Sequence, residues 1–400
     1  MRDSLDDLAA AVAPDVVGWR RHLHAHPELS FEETETSRFV AERLAELGIE
    51  VSRPSGTSVV GRLAGGRAGP TLAIRADMDA LPIEEATGLP FASTNPGVMH
   101  ACGHDGHTSI LLGAATVLAR LQDQLPGEIR FLFEPGEETL PGGAQGMVDA
   151  GVMDGVDQVI GLHLWSPLPV GTIVARPGRA MAACDVFRIE VRGVGGHIGM
   201  PQLAVDPIAI GAQVVEALQH LVAREVDPRE PAIVGVTGFH AGNSVGVIPP
   251  TAEITGGTNM FSPAVQDLLE RRIAEVAEGV CRAHRATCEV EYTRGYRAVI
   301  NDEGVTASVA RAARQAFGDA AVSEGEIIMG GEDVSAFLER APGCFVLVGA
   351  GNAERGIVHD HHNPRFDIDE DSLGIGVRLF AHAALELLTE GAREDARAPA

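Results

Sequence analysis

Apolar residues recur along this chain in two rhythms, and the change from one to the other divides it. Short, mostly apolar runs read as buried strands: "TLAIRAD" (71–77), "GEIRFLFEP" (127–135) and "QVIGLHL" (158–164). Helical segments separate them. Residues 30–48 carry Phe39, Val40, Leu44 and Leu47 as an apolar stripe, Ser30 and Glu33 as a capping box, and Gly48 as a stop. Residues 106–122, "GHTSILLGAATVLARLQ", predict a largely apolar helix. Strands alternating with helices imply an α/β layer with a mostly parallel sheet. Polar residues end several of the strands, where such sheets place their ligand sites.

Near residue 185 the pattern changes. "DVFRIEVRG" alternates as a strand, "DPIAIGAQVVEALQHLVARE" follows as a helix, and "AIVGVTGF" and "TAEITGGTNM" read as two more strands. A second helix, "AVQDLLERRIAEVAEGVCRAH", and a last strand, "ATCEVEYTRG", complete the order β-α-β-β-α-β of a ferredoxin-like α+β unit. Because α/β patterning resumes after residue 296, residues 185–295 read as an insertion into a domain formed by 1–184 and 296–400. The tail "GAREDARAPA" is expected to fray.

Composition narrows the function classes. A net charge of −25 argues against nucleic acid or an anionic membrane as partner. The acidic start "MRDSLDDLAAAVAPD" lacks the apolar core of a secretory signal, and no apolar run stands out as long enough to span a bilayer. Five scattered cysteines suggest reduced thiols in a cytoplasm.

The candidate chemistry lies at strand ends and in loops. "MHACGHDGHTS" (99–109) offers Cys102 and His104, "FEPGEET" offers Glu137 and Glu138, "GLHLW" offers His163, and "HDHHNPRFD" (359–367) supplies a further cluster. Asp77 and Asp79 stand in "RADMDALP". Mixed Cys/His/Glu ligation suits zinc or a similar borderline ion, and a thiolate between two cations could bridge them. A Cys/His nucleophile pair would leave the adjacent glutamates unexplained. The glutamates make sense if one binds metal while the other takes a proton from metal-activated water, which is hydrolytic chemistry. His22, His24 and His26 in "RRHLHAHPELS" read as loop-ordering residues and not as ligands.

Together these stretches resemble the M20 metallopeptidase/amidohydrolase family, in its hippurate hydrolase, N-acyl-amino-acid amidohydrolase and auxin-conjugate hydrolase branch. The matching segments include "RRHLHAHPELSFEE", "IRADMDALPIEE", "MHACGHDGHTSILLGAA", "FEPGEE", "GLHLW", "GVGGHIGMPQLAVDPI", "GGEDVSAFL" and "HHNPRFDIDEDSL", which run in order from residue 20 to about 373. The resemblance implies a zinc-peptidase-like α/β catalytic domain with two divalent ions, zinc first and manganese, cobalt or nickel as alternatives. It also implies an inserted lid through which the chain forms a homodimer, and a small N-acyl compound as substrate. Carried over by position, Cys102, His104, Glu138, His163 and His362 would be the ligands, with Cys102 bridging. Glu137 would be the general base, Asp79 would orient a ligand, and His197 in the lid would stabilise the reacting carbonyl.

Three departures fall in the lid. Gly246 stands where relatives usually have Asn, Asn259 where they usually have Arg, and Gln202 where they often have His. The expected Asn and Arg would hold the free carboxylate of an N-acyl amino acid. Replacing that Arg removes a bidentate cation. The implied substrate is therefore an amide whose amine side is not an ordinary free α-amino acid, unless another cation, with Arg179 as the candidate, substitutes. A dipeptidase or carboxypeptidase, and a non-catalytic binding protein on this fold, are the alternatives.

Overall fold

A computed structural model describes residues 2–395, with side chains from residue 4 to residue 391. The chain forms two compact units, one of residues 2–180, 299–326 and 333–395, the other of 181–298 and 327–332.

The larger unit is built on an eight-stranded sheet. Its strands run in the spatial order Glu50–Ser52, Val59–Ala64, Pro126–Glu134, Arg67–Asp77, Gln158–Pro169, Gly343–Gly351, Ile173–Val174 and Val322–Ser323. The four central strands, from Pro126–Glu134 to Gly343–Gly351, are mutually parallel. Their carboxyl ends therefore open on one edge of the sheet. The fully buried stretch of Gly343–Gly351 and the buried half of Arg67–Asp77 explain their unbroken apolar runs. Helix His104–Ala119 is buried along nearly its whole length, so it shows no polar face. One apolar core fills this unit, with Ile74, Leu111, Phe131, Leu162, Val348 and Val377 among its members.

Four expectations change here. The capping box at residues 30–33 does not form: the helix is Thr34–Glu46, no side chain caps it from Glu33, and Ser30 donates to Asp79 instead. The first amides of that helix, at Glu35 and Thr36, are met by the Glu28 carboxylate. His22 and His24 lie in a helix, Arg2–Ala25, and not in a loop; Pro14 inside it obscures its pattern in the sequence. The tail continues the helix Asp371–Asp395, and its last five residues, 396–400, lie outside the described residues. Residues 371–391 are long and apolar enough to cross a membrane, contrary to the sequence reading, but most of that stretch is buried as a core helix.

The smaller unit carries an antiparallel sheet in the order Ala232–Ala241, Thr251–Met260, Ala183–Arg192 and Thr287–Tyr296. Alternate residues of its two central strands are buried, and helices Pro207–Glu225 and Pro263–Ala283 supply Val214, Leu218, Leu269 and Ile273 to the same core. Its elements follow one another as β-α-β-β-α-β.

A buried charge cluster ties the first helix into the larger unit. Arg20, 1% exposed, donates Nε to Asp105 (3.0 Å), Nη2 to Asp367 (2.8 Å) and Nη1 to Glu370 (3.3 Å). His24 lies 2.8 Å from Asp105 and 3.3 Å from Glu85. Burial works to raise both acids, but Arg20 and His24 outweigh it at Asp105 and hold that carboxyl far below its ordinary range. At Glu85, His24, the Thr87 hydroxyl and the Ser93 N–H outweigh burial and bring it to about 2. Arg20→Ala strands Asp105 without its cation and should lower the unfolding free energy by about 3–5 kcal/mol, read from urea titrations at neutral pH. Because both acids are depressed, their contribution is whole above roughly pH 5 and is lost as pH falls through the folded values. Stability of the wild type should therefore fall more steeply towards pH 2 than that of Glu85→Gln, and equal slopes would refute the assignment.

Candidate metal centre

The carboxyl ends of the parallel strands deliver acidic and imidazole groups to one place. Arg67–Asp77 ends on Asp77 and leads to Asp79; Pro126–Glu134 leads through Gly136 to Glu137 and Glu138; His163 stands within Gln158–Pro169. Cys102 and His104 come from the start of the buried helix, where Gly103 turns the chain in the left-handed region (φ 94°). His362 comes from the loop after Gly343–Gly351. Its backbone is also left-handed (φ 63°), pinned by an N–H bond to the Ala101 carbonyl (2.8 Å).

These side chains converge. The ligand atoms of Cys102, His104 and His163 lie within 4.8 Å of one another, and so do those of Cys102, Glu138 and His362. Cys102 is common to both groups. Glu137 forms a third such group with His104 and Glu138.

Hydrogen bonds point the lone pairs inward. His163 Nδ1 donates to the Leu164 carbonyl (2.7 Å), which leaves Nε2 as an acceptor 3.5 Å from Cys102 Sγ. His104 Nδ1 bonds Asp79 (3.2 Å), and its Nε2 is buried without a hydrogen-bond partner. Glu138 Oε1 lies 3.2 Å from His362 Nε2. A buried imidazole nitrogen aimed at a thiol and carboxylates fits a cation held among them, and the donor set of sulfur, nitrogen and oxygen fits a borderline ion. Both nitrogens of His107 are spent, on Asp77 (2.7 Å) and on the Leu164 N–H (2.8 Å), so His107 supports the site without ligating.

The electrostatics show what the protein alone leaves unbalanced. Burial disfavours charge on His104, but Asp77 and Asp79 outweigh it and push the ring up to about 10. Burial drives the Cys102 thiol well above its ordinary value, and Glu138, Glu137 and Asp77 push it further. The cluster demands positive charge, and a cation there would favour the thiolate. Arg75, which sequence reasoning missed, is fully buried behind the centre. It binds Asp77 (2.8 Å), Glu134 (2.5 Å) and Asp333 (3.0 Å). Asp333 in turn accepts the Ala144 N–H at the start of helix Gly143–Asp149 (3.1 Å). The only sign of Arg75 in the sequence is a lone arginine in an apolar strand.

His361 and His100 are set apart from the ligand groups. His361 packs against His163, Trp165 and Phe366, and burial brings its ring down to about 3. His100 is buried, and burial brings it to about 4.

The remaining candidates lie elsewhere in the chain. Arg179 is half-buried in the larger unit, and its carbonyl accepts from Arg176 (2.8 Å). His197, Gly246 and Asn259 belong to the smaller unit. His197 is exposed, its Nδ1 accepts the Gly199 N–H (2.9 Å), and it pairs in register with Val247 beside Gly246. Asn259 directs its amide nitrogen to the Met329 carbonyl (2.7 Å) and to Cys184 Sγ (2.6 Å).

Known proteins resemble this chain along most of its length. The profile of peptidase family M20/M25/M40 matches residues 73–386. An N-acyl-L-amino acid amidohydrolase of Geobacillus stearothermophilus is 53% identical over 305 residues, which span 76% of this chain and 82% of that protein. Thermostable carboxypeptidase 1 of Saccharolobus solfataricus is 41% identical over 374 residues, 92% of this chain and 94% of its own. A crystal structure of a dinuclear metal-binding M20 peptidase from Bacillus subtilis superposes with a TM-score of 0.81 at 36% identity, covering 95% of this chain and 99% of that one. From matched residues and near-complete coverage, this chain belongs to peptidase family M20/M25/M40.

Proposed function

We propose that this chain is a metal-dependent amidohydrolase that cleaves the N-acyl bond of a small conjugate. The observation that carries the reading is the sharing of Cys102 between two groups of ligand atoms, with a second glutamate beside the Glu138 ligand. One ion would be held by Cys102, His104 and His163, the other by Cys102, Glu138 and His362. Zinc suits these donors best. Two such ions would supply a Lewis acid for the carbonyl and would lower the pKa of water.

The chain's own groups do the rest. Glu137 removes the proton from the attacking water and returns it to the leaving nitrogen. Its backbone is fixed because Asp79 accepts the N–H groups of both Glu137 (3.1 Å) and Glu138 (3.0 Å). The same carboxylate orients His104, so one side chain aligns base and ligand together. The smaller unit would act as lid and dimerisation surface, with His197 stabilising the carbonyl oxygen. Exposed Ile198, Leu203, Val245 and Val247 support that role. All five cysteines are free, which supports a reducing compartment such as the cytoplasm.

The amine side is where this chain departs. Asn259 spends its amide nitrogen inside the smaller unit, which supports an altered carboxylate clamp. Losing a charged hydrogen bond of the expected kind weakens binding by about 1.5–3 kcal/mol. A carboxypeptidase action is the second reading, favoured by the similarity to the carboxypeptidase of Saccharolobus solfataricus.

Glu137→Gln should lower kcat by about 100-fold to 10,000-fold while two ions per chain persist by elemental analysis. Loss of activity with loss of metal would remove Glu137 from the base role, and an inactive, fully metallated wild type would favour a binding protein. Comparing each N-acyl amino acid with its carboxamide tests the clamp: kcat/KM for the pair should differ by less than about 10-fold, against the one to two decades a charged contact provides. A larger preference for the acid that survives Arg179→Ala would overturn both versions, and faster turnover of dipeptides would favour the carboxypeptidase.

A further inference from the structure

Glu33 has no place in the chemistry above, yet it is fully buried and faces the loop that carries the base. Its Oε1 accepts the N–H groups of Gly136 and Phe31, both at 2.8 Å, and its Oε2 accepts the Thr57 hydroxyl at 2.5 Å. Gly136 immediately precedes Glu137. Three successive amides, at residues 136, 137 and 138, are thus each held by a buried carboxylate: the first by Glu33, the next two by Asp79.

The two carboxylates are joined through one short segment. Ser30 donates to Asp79 (2.6 Å) and accepts from Thr139 (3.0 Å), at the far side of the same loop. Phe31, itself in the left-handed region (φ 67°), lays its ring against Gly136, where a β-carbon would come within 2.5 Å of it. Gly136 is left-handed as well (φ 68°), so the loop turns where only glycine fits. The left-handed backbone of Phe31, which is not glycine, persists only where surrounding contacts enforce it.

We propose that Glu33 is a positioning residue that holds Glu137 in its reactive place by fixing the Gly136 peptide, with Ser30 and Phe31 completing the clamp. This rests on the reading of Glu137 as general base. A base displaced by an ångström loses much of its effect, because proton transfer requires hydrogen-bond reach. Burial pushes Glu33 up to about 7, with Asp79 adding to the rise against the Thr57 hydroxyl and the backbone amides. A neutral amide is accordingly a fair replacement: a glutamine oxygen can accept the same two N–H groups while its NH₂ donates to Thr57.

The test compares Glu33→Ala and Glu33→Gln in the full-length, metal-loaded protein by steady-state kinetics, metal analysis and hydrogen exchange of the peptide covering 133–140. In Glu33→Ala, kcat should fall about 10-fold to 100-fold with KM within about twofold and two ions retained. Exchange across 136–138 should accelerate at least 10-fold, while protection of the core strand Gly343–Gly351 stays as in the wild type. Glu33→Gln should restore both kcat and protection to within about threefold. Unchanged exchange at 136–138 in Glu33→Ala, an unchanged kcat, or failure of Glu33→Gln to rescue would each overturn the positioning role. A wild type without N-acyl hydrolysis would instead overturn the functional reading, while the exchange comparison would still decide whether Glu33 fixes the loop.

Discussion

Burying negative charge is expensive, and this fold concentrates it at the carboxyl ends of four parallel strands. Asp77, Asp79 and Glu137 are almost fully buried there, next to Glu138 and a thiol. Isolated ionised carboxylates do not survive such burial; they neutralise or find partners. Arg75 answers part of the demand from behind, backbone amides answer another part at Asp79, and the imidazoles face what is left. Two divalent ions would complete the balance. The architecture around the centre, from the Asp79-held loop to the pinned His362, follows from that one electrostatic constraint.

How much of this the sequence made legible depends on the distance over which each signal acts. Strands and helices with unbroken apolar runs, such as 71–77 and 158–164, could be read because burial on both faces leaves a local pattern. The candidate ligand types stand out as a Cys/His/Glu assortment, and the family resemblance supplies the positions proposed for them. Ser30 and Glu33 show the limit. Their spacing matches a capping box, but their partners are Asp79 and Gly136, far along the chain. Local spacing cannot distinguish a side chain that caps its own helix from one that braces a distant loop. Arg75 and Arg20 escape local reading for the same reason: a buried arginine is recognised by its acids, and apart from Asp77 those lie tens to hundreds of residues away.

The two units divide the protein's task unequally. The larger unit contains each proposed ligand, the proposed base and Asp79, which binds His104. The smaller one carries His197, which follows the family pattern, and Gly246 and Asn259, where this chain differs from it. Gly246 and Asn259 lie outside the unit that holds the buried charge cluster.

The insertion also bears on how the chain folds. Strand Gln158–Pro169 pairs with Gly343–Gly351, and the whole smaller unit lies between them in sequence. An unfolded loop of that length would make the pairing slow. In the folded insertion, however, Cys184 and Tyr296 face each other across adjacent strands. The chain thus leaves the folded smaller unit close to where it entered. Folding of the insertion would take residues 184–296 out of the loop that must close before Gln158–Pro169 and Gly343–Gly351 pair, and so lower its entropic cost.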